Sequence, residues 1–124
     1  MKTRIYYDDT DAGGVVYHAN YLKFCERARS DLFFEQGKSP AVNDGHFVVR
    51  RLEAEYIKPA KLGNLIEVKN ELLELKKASL ILKQMIYKED VLLFSMTSTL
   101  AYVKEGKPSK IDEETKAFFE SLLH

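Results

Sequence analysis

The sequence predicts an α+β domain in which one long helix lies against a single antiparallel sheet. Three observations carry that prediction. Apolar residues recur at helical spacing over residues 18–36. Four runs downstream, within residues 46–103, read as extended strands, two of them with clear alternation of apolar and polar side chains. The links between the last three runs, at 76–78 and 88–90, are short enough for hairpins, so those strands form a meander. A sheet curled around the helix would bury it on most sides.

The elements follow in order. Residues 4–7 read as a short strand that an Asp-rich turn ends. In the helix, Tyr21, Cys25, Ala28 and Leu32 share a face with Phe24 beside them, and aromatic residues return at Phe33 and Phe34. So much apolar surface predicts a helix with more than one neighbour. Asn20 is a candidate N-cap and Gly37 a C-terminal stop. A loop at 39–45 leads into the strand at 46–57, with Val48, Leu52, Ala54 and Tyr56 on one face, opposite Arg51, Glu53 and Glu55. Pro59 ends that strand or places it at an edge. The run 65–75 sets Ile66, Val68 and Leu72 against Glu67, Lys69 and Glu71. Runs at 79–87 and 91–103 complete the sheet. In the last one Ser95, Thr97, Thr99, Ala101 and Val103 form a face of small or β-branched residues that a helix or partner strand can approach closely. Gly106, Pro108 and Ser109 break the chain, and Asp112 caps a short terminal helix with Phe118, Leu122 and Leu123 as its stripe.

The 124 residues suit one domain, and nearly half are apolar, enough for one core. A domain of this size still leaves much apolar surface exposed, which oligomerisation would cover. The formal net charge of zero argues against nucleic acid as a partner. Cys25 stands alone, so no intrachain disulfide forms, as suits a reducing compartment. No signal-peptide core and no run of membrane-span length is present, which predicts a cytoplasmic protein.

Chemistry concentrates between Tyr6 and Arg29. Asp8, Asp9 and Asp11 cluster where the first strand ends, Gly13 and Gly14 follow, and a helix begins. A solvated, helix-capping turn is one reading, at about even odds from the frequency of Asp in turns. A calcium loop is set aside, because Gly13 replaces one ligand and Asn20 stands where a bidentate Glu is needed. The catalytic reading places the Asp11 carboxylate beside free N–H groups at a helix start. A thioester oxygen there would be polarised, and Asp11 would attack the carbonyl or activate a water. His18 is a candidate assisting acid–base group, and Tyr7 is expected to face the core with its hydroxyl near the site mouth. Cys25, on the buried helix face, reads as packing rather than as a nucleophile. His46 and His124 draw no functional role.

Asp11, Gly14, Tyr17, Asn20 and Tyr21, followed by Glu26, Arg27, Ala28 and Arg29, give a long and specific pattern. It resembles the hotdog-fold acyl-CoA thioesterases, and within them the Tol–Pal-associated YbgC-like group, related to 4-hydroxybenzoyl-CoA thioesterase. The segment from Tyr56 through Pro59 and Ala60 to Gly63 is similar too, with Asn64 where the family more often has an acidic residue. The resemblance spans nearly the whole chain and implies a hotdog fold: a five-stranded antiparallel sheet around the long helix. It implies dimers paired edge to edge, tetramers as dimers of dimers, and a site at the subunit interface. Asp11 matches the catalytic carboxylate, His18 the position whose backbone N–H polarises the carbonyl, and Tyr7 a tyrosine lining the site. Lys76 and Lys77 fall where relatives place cations for the CoA phosphates, and Lys107 and Lys110 are similar candidates; a solvated turn explains such lysines equally well. The implied reaction needs no metal or bound cofactor, and the substrate is an acyl-CoA or an acyl carrier protein thioester. The competing function is a non-catalytic module that binds acyl carrier protein or scaffolds an envelope complex. A hotdog dehydratase ranks below both, since its usual His motif is missing from the turn.

Overall fold

The computed structural model describes residues 1–123. It contains strand β1 (Lys2–Arg4), a 3-10 turn (Tyr7–Asp9), helix α1 (Asn20–Phe34) and strands β2 (Gly45–Tyr56), β3 (Leu65–Leu75), β4 (Ser79–Lys88) and β5 (Val91–Lys104). A two-residue strand β6 (Lys107–Pro108) and helix α2 (Glu113–Leu122) complete it. The sheet order is β1-β3-β4-β5-β2, antiparallel throughout, with β6 paired to the end of β5. The expected five strands and the α+β layout are therefore present, and β6 is a small addition. Among the described residues no helix is long and apolar enough to cross a membrane.

Helix α1 packs one face on the sheet. Tyr21, Phe24, Cys25 and Ala28 meet Ile66, Val68, Ile86, Phe94 and Met96 in one buried cluster. Phe33 continues into a second cluster with Leu72, Leu80, Leu82, Leu100, Phe118 and Phe119, so α2 is the helix's other neighbour. Phe34 instead stays exposed. Gly37 ends the helix as expected: its φ is +69°, and Lys38 N–H donates back to the Phe33 carbonyl at 2.8 Å. Asp112 caps α2 by accepting from Thr115 N–H at 2.7 Å. That bond holds its carboxyl below the usual range.

Polar side chains are sealed in this interior as well, Gln84 most completely. Gln84 is fully buried; its amide donates to the Cys25 carbonyl (2.8 Å) and to Asn70 Oδ1 (2.7 Å), and its oxygen accepts from Arg29 (3.2 Å). Burial pulls the Arg29 pKa down, with Glu26 pushing it back up.

Four expectations change. Strand β1 stops at Arg4 rather than residue 7, because the Asp9 carboxylate accepts Tyr6 N–H at 2.9 Å and winds residues 7–9 into the 3-10 turn. Asn20 is not the cap of α1: Ala19 holds that position, and the Asn20 amide donates to the Asp9 carbonyl at 2.9 Å. In β2 the pairing register shifts between Val49 and Arg51, leaving Arg50 as the extra residue. A bulge reverses the side-chain alternation, so Val48 faces away from Leu52, Ala54 and Tyr56. Finally, the small-residue face of β5 is not where α1 lies; the helix covers the opposite face, through Phe94 and Met96.

The loop before β2 closes tightly. Asn43 and Asp44 take φ of 51° and 64°, and Val42 and Gly45 exchange both backbone hydrogen bonds at 2.9 Å. A Cβ on Gly45 would stand 2.6 Å from the Tyr102 ring and from the Val103 carbonyl oxygen. Gly45→Ala should cost about 1–3 kcal/mol of stability, read by urea denaturation.

Candidate active site

The turn between β1 and α1 is built around a carboxylate that the sequence did not single out. Asp9 is 6% exposed. It accepts from Tyr6 N–H and lies 3.6 Å from the Lys23 ammonium. Its carbonyl accepts Tyr17 N–H (3.0 Å) and the Asn20 amide (2.9 Å), which ties the start of α1 to the end of the 3-10 turn.

Asp11 is exposed on that frame. Its Oδ1 accepts Gly13 N–H at 2.8 Å, an Asx turn, and its backbone exchanges bonds with Val15 and Gly14. Gly14 at φ +80° lets the loop reverse, and its carbonyl accepts Leu62 N–H.

His18 is exposed and packs against Tyr17 at a tilt, with 4.3 Å between centroids and 40° between the rings. It lines a cleft of about 220 Å³ with Val16, Tyr21, Tyr56, Ile57, Lys58 and Pro59. Among the described residues the N–H groups of His18 and Ala19 have no acceptor. Asp11 and the helix start therefore belong to one turn; among the described residues the Ala12 and Val15 N–H groups within it also have no acceptor, and those of His18 and Ala19 stand where α1 begins.

Tyr7 is 82% exposed and does not face the core. The 3-10 turn rotates it outward, and Ile5 takes the buried position. Cys25 is fully buried, and desolvation pushes its thiol up to about 12. It stays a thiol at neutral pH, as a packing residue should.

The four lysines are brought together, but not at Asp11. Lys76 and Lys77 form the β3–β4 turn, Lys107 lies in β6, and Ile111 N–H donates to the Lys77 carbonyl at 2.8 Å. All four are exposed. They cap the end of the sheet opposite the Asp11 turn, about 30 Å away by the rise of an eleven-residue strand.

Known proteins match this chain in sequence and in fold. A family model described as the thioesterase superfamily matches residues 13–95. The chain belongs to the thioesterase superfamily. Thioester hydrolysis is the reaction class of that superfamily, and the matched segment starts just after Asp11 and takes in His18. The acyl-CoA thioesterase YbgC of Helicobacter pylori is 51% identical over 87 residues, 70% of this chain and 65% of that protein. The chain thus spans under two thirds of that relative's length in the match. The acyl-CoA thioesterase YbgC of Haemophilus influenzae is 41% identical over 98% of this chain and 94% of its own. A crystal structure of a probable thioesterase from Bartonella henselae superposes with a TM-score of 0.85 at 33% identity, covering 90% of this chain and 97% of that one. The fold is the hotdog of the thioesterases.

Nothing local in the chain distinguishes Asp9 from its neighbours or assigns Tyr56 a role at the turn. Asp9 was one of three similar acids, and its burial depends on Lys23 and Asn20 arriving from the helix. Tyr56 reads as an ordinary strand residue, yet its hydroxyl reaches the His18 carbonyl at 2.8 Å.

Proposed function

We propose that this thioesterase-superfamily chain hydrolyses acyl-CoA thioesters to the free acid and CoA. The observation that carries the reading is the Asp11–Ala19 turn, which holds an exposed carboxylate and, at its helix end, the His18 and Ala19 N–H groups, two of the turn's donors without acceptors among the described residues. The substrate class rests on the YbgC relatives, whose names describe acyl-CoA thioesterases. The thioester oxygen accepts from the helix-start donors, and Asp11 attacks the carbon or deprotonates a water beside it. No metal or bound cofactor enters the scheme. The protein works in the cytoplasm in this reading.

The active form in this proposal is an oligomer. Strand β2 is one edge of the sheet, and Val49, Leu52, Tyr56 and Ile57 along it are exposed. A twelve-residue edge with apolar side chains invites pairing with a second copy. Antiparallel pairing of two β2 strands sets the Tyr56 end of one against the Gly45 end of the other. The lysine end of one subunit then approaches the Asp11 turn of its partner. Lys76, Lys77, Lys107 and Lys110 are thereby candidates for the CoA phosphates of the neighbouring site. The half-exposed Ser95, Thr97 and Thr99 face leaves room for two such dimers to stack as a tetramer. Tyr7, exposed on the same turn as Asp11, is available to line the interface.

The direct test is thiol release across a panel of acyl-CoAs. Turnover on at least one chain length is expected. Release from none, together with tight binding of acyl carrier protein, would turn the assignment to a scaffold. On the best substrate, His18→Ala should lower kcat by about tenfold, less than loss of Asp11, because its backbone donor survives the substitution. A loss equal to that of Asp11→Asn would make the imidazole a principal acid–base group.

A further inference from the structure

Tyr56 closes β2 with its ring against Tyr21 and Phe94, at 5.4 and 5.0 Å between centroids. Its hydroxyl donates to the His18 carbonyl at 2.8 Å. A trans peptide is planar, so its C=O and N–H point in opposite directions. The described chain has no cis peptides. Fixing the His18 carbonyl against Tyr56 therefore aims the Ala19 N–H the other way, away from the phenol. The preceding peptide is fixed by a different partner: the Tyr17 carbonyl accepts Asn20 N–H at 2.9 Å. That bond fixes the direction of the His18 N–H in the same manner. Both donors lack an acceptor among the described residues.

We infer that Tyr56 is a positioning residue for hydrolysis: its phenol holds the Ala19 N–H as a second donor to the thioester oxygen, beside the His18 N–H, which rests on reading this turn as the group that polarises the carbonyl. Donors fixed before the substrate arrives need no reorganisation as charge builds on that oxygen. Without the phenol, the His18–Ala19 peptide is free to rotate, and one donor is lost from the transition state more than from the bound substrate. Tyr56 acts through the backbone, so its effect belongs in kcat rather than in substrate binding.

Tyr56→Phe removes one oxygen and keeps the ring packing. On the best substrate of the acyl-CoA panel, kcat should fall about tenfold with KM within about twofold. Thermal unfolding and far-UV circular dichroism should stay close to wild type. A merely structural tyrosine would not move a second readout, the infrared stretch of a ¹³C-labelled thioester carbonyl. Bound to Asp11→Asn, that stretch should lie below its frequency in free acyl-CoA. In the double variant Asp11→Asn/Tyr56→Phe the displacement should shrink. An undiminished displacement, or wild-type kcat in Tyr56→Phe, overturns the positioning role and leaves the turn's own role standing. No displacement in Asp11→Asn, with Tyr56 intact, overturns both.

Discussion

Asp11→Asn is expected to lower kcat on acyl-CoA by about a thousandfold while leaving KM within a few-fold, the range for losing a principal base or nucleophile. The substitution is well matched to the site. The Asx turn needs only an oxygen to accept Gly13 N–H, and an asparagine supplies one. The loop geometry, the bond from Leu62 N–H to the Gly14 carbonyl and the start of α1 should all survive. What disappears is the negative charge and the capacity to accept a proton. Steady-state thiol release checks the rate, and thermal denaturation checks the fold. Turnover close to wild type in a folded variant would remove Asp11 from the chemistry, and the thioester would then need another base.

Phe94→Ala should show the largest loss of stability, about 3–5 kcal/mol, the usual range for deleting a buried phenyl ring. The ring has no solvent exposure and stacks on Tyr21 at 5.1 Å. It also meets Tyr56 edge-on. A domain of this size has a net stability of only about 5–15 kcal/mol, so the variant should unfold at far lower urea. Activity should fall as well, because Phe94 backs both tyrosines that hold the site's loops. Tyr21 accepts Ala60 N–H at 2.9 Å, and Tyr56 donates to His18. A urea midpoint near wild type would show that neighbouring side chains collapse into the space.

The elements of this fold were legible because their signals are local. The stripe from Tyr21 to Ala28 needs only 3.6-residue periodicity, and the alternation in residues 65–72 needs only the pleat. The short 76–78 and 88–90 links left little choice of pairing. Errors arose where a distant partner decides. The bulge at Arg50 is set by pairing with β5, so no pattern within β2 announces it. Tyr7 looked like a strand residue until the Asp9 carboxylate captured Tyr6 N–H and turned the chain. The Asp11 turn was visible because its acids, glycines and helix start are contiguous. The lysine pairs were visible singly, but their gathering at one end of the sheet depends on β6 pairing with β5 and on Ile111, beyond it, bonding to the Lys77 carbonyl.

The amide of Gln84 has a consequence for the reaction at a distance. It grips the Cys25 carbonyl from the sheet while its oxygen takes the Arg29 guanidinium, so α1 is indexed against β4 at its midpoint. Sliding the helix by one turn, about 5.4 Å, would strand several polar atoms in a dry interior. Only one axial setting of the helix is therefore tolerated. The amino end of a rod clamped at its centre cannot drift, so the spacing between the Asp11 loop and the first residues of α1 is gauged from a joint that touches neither.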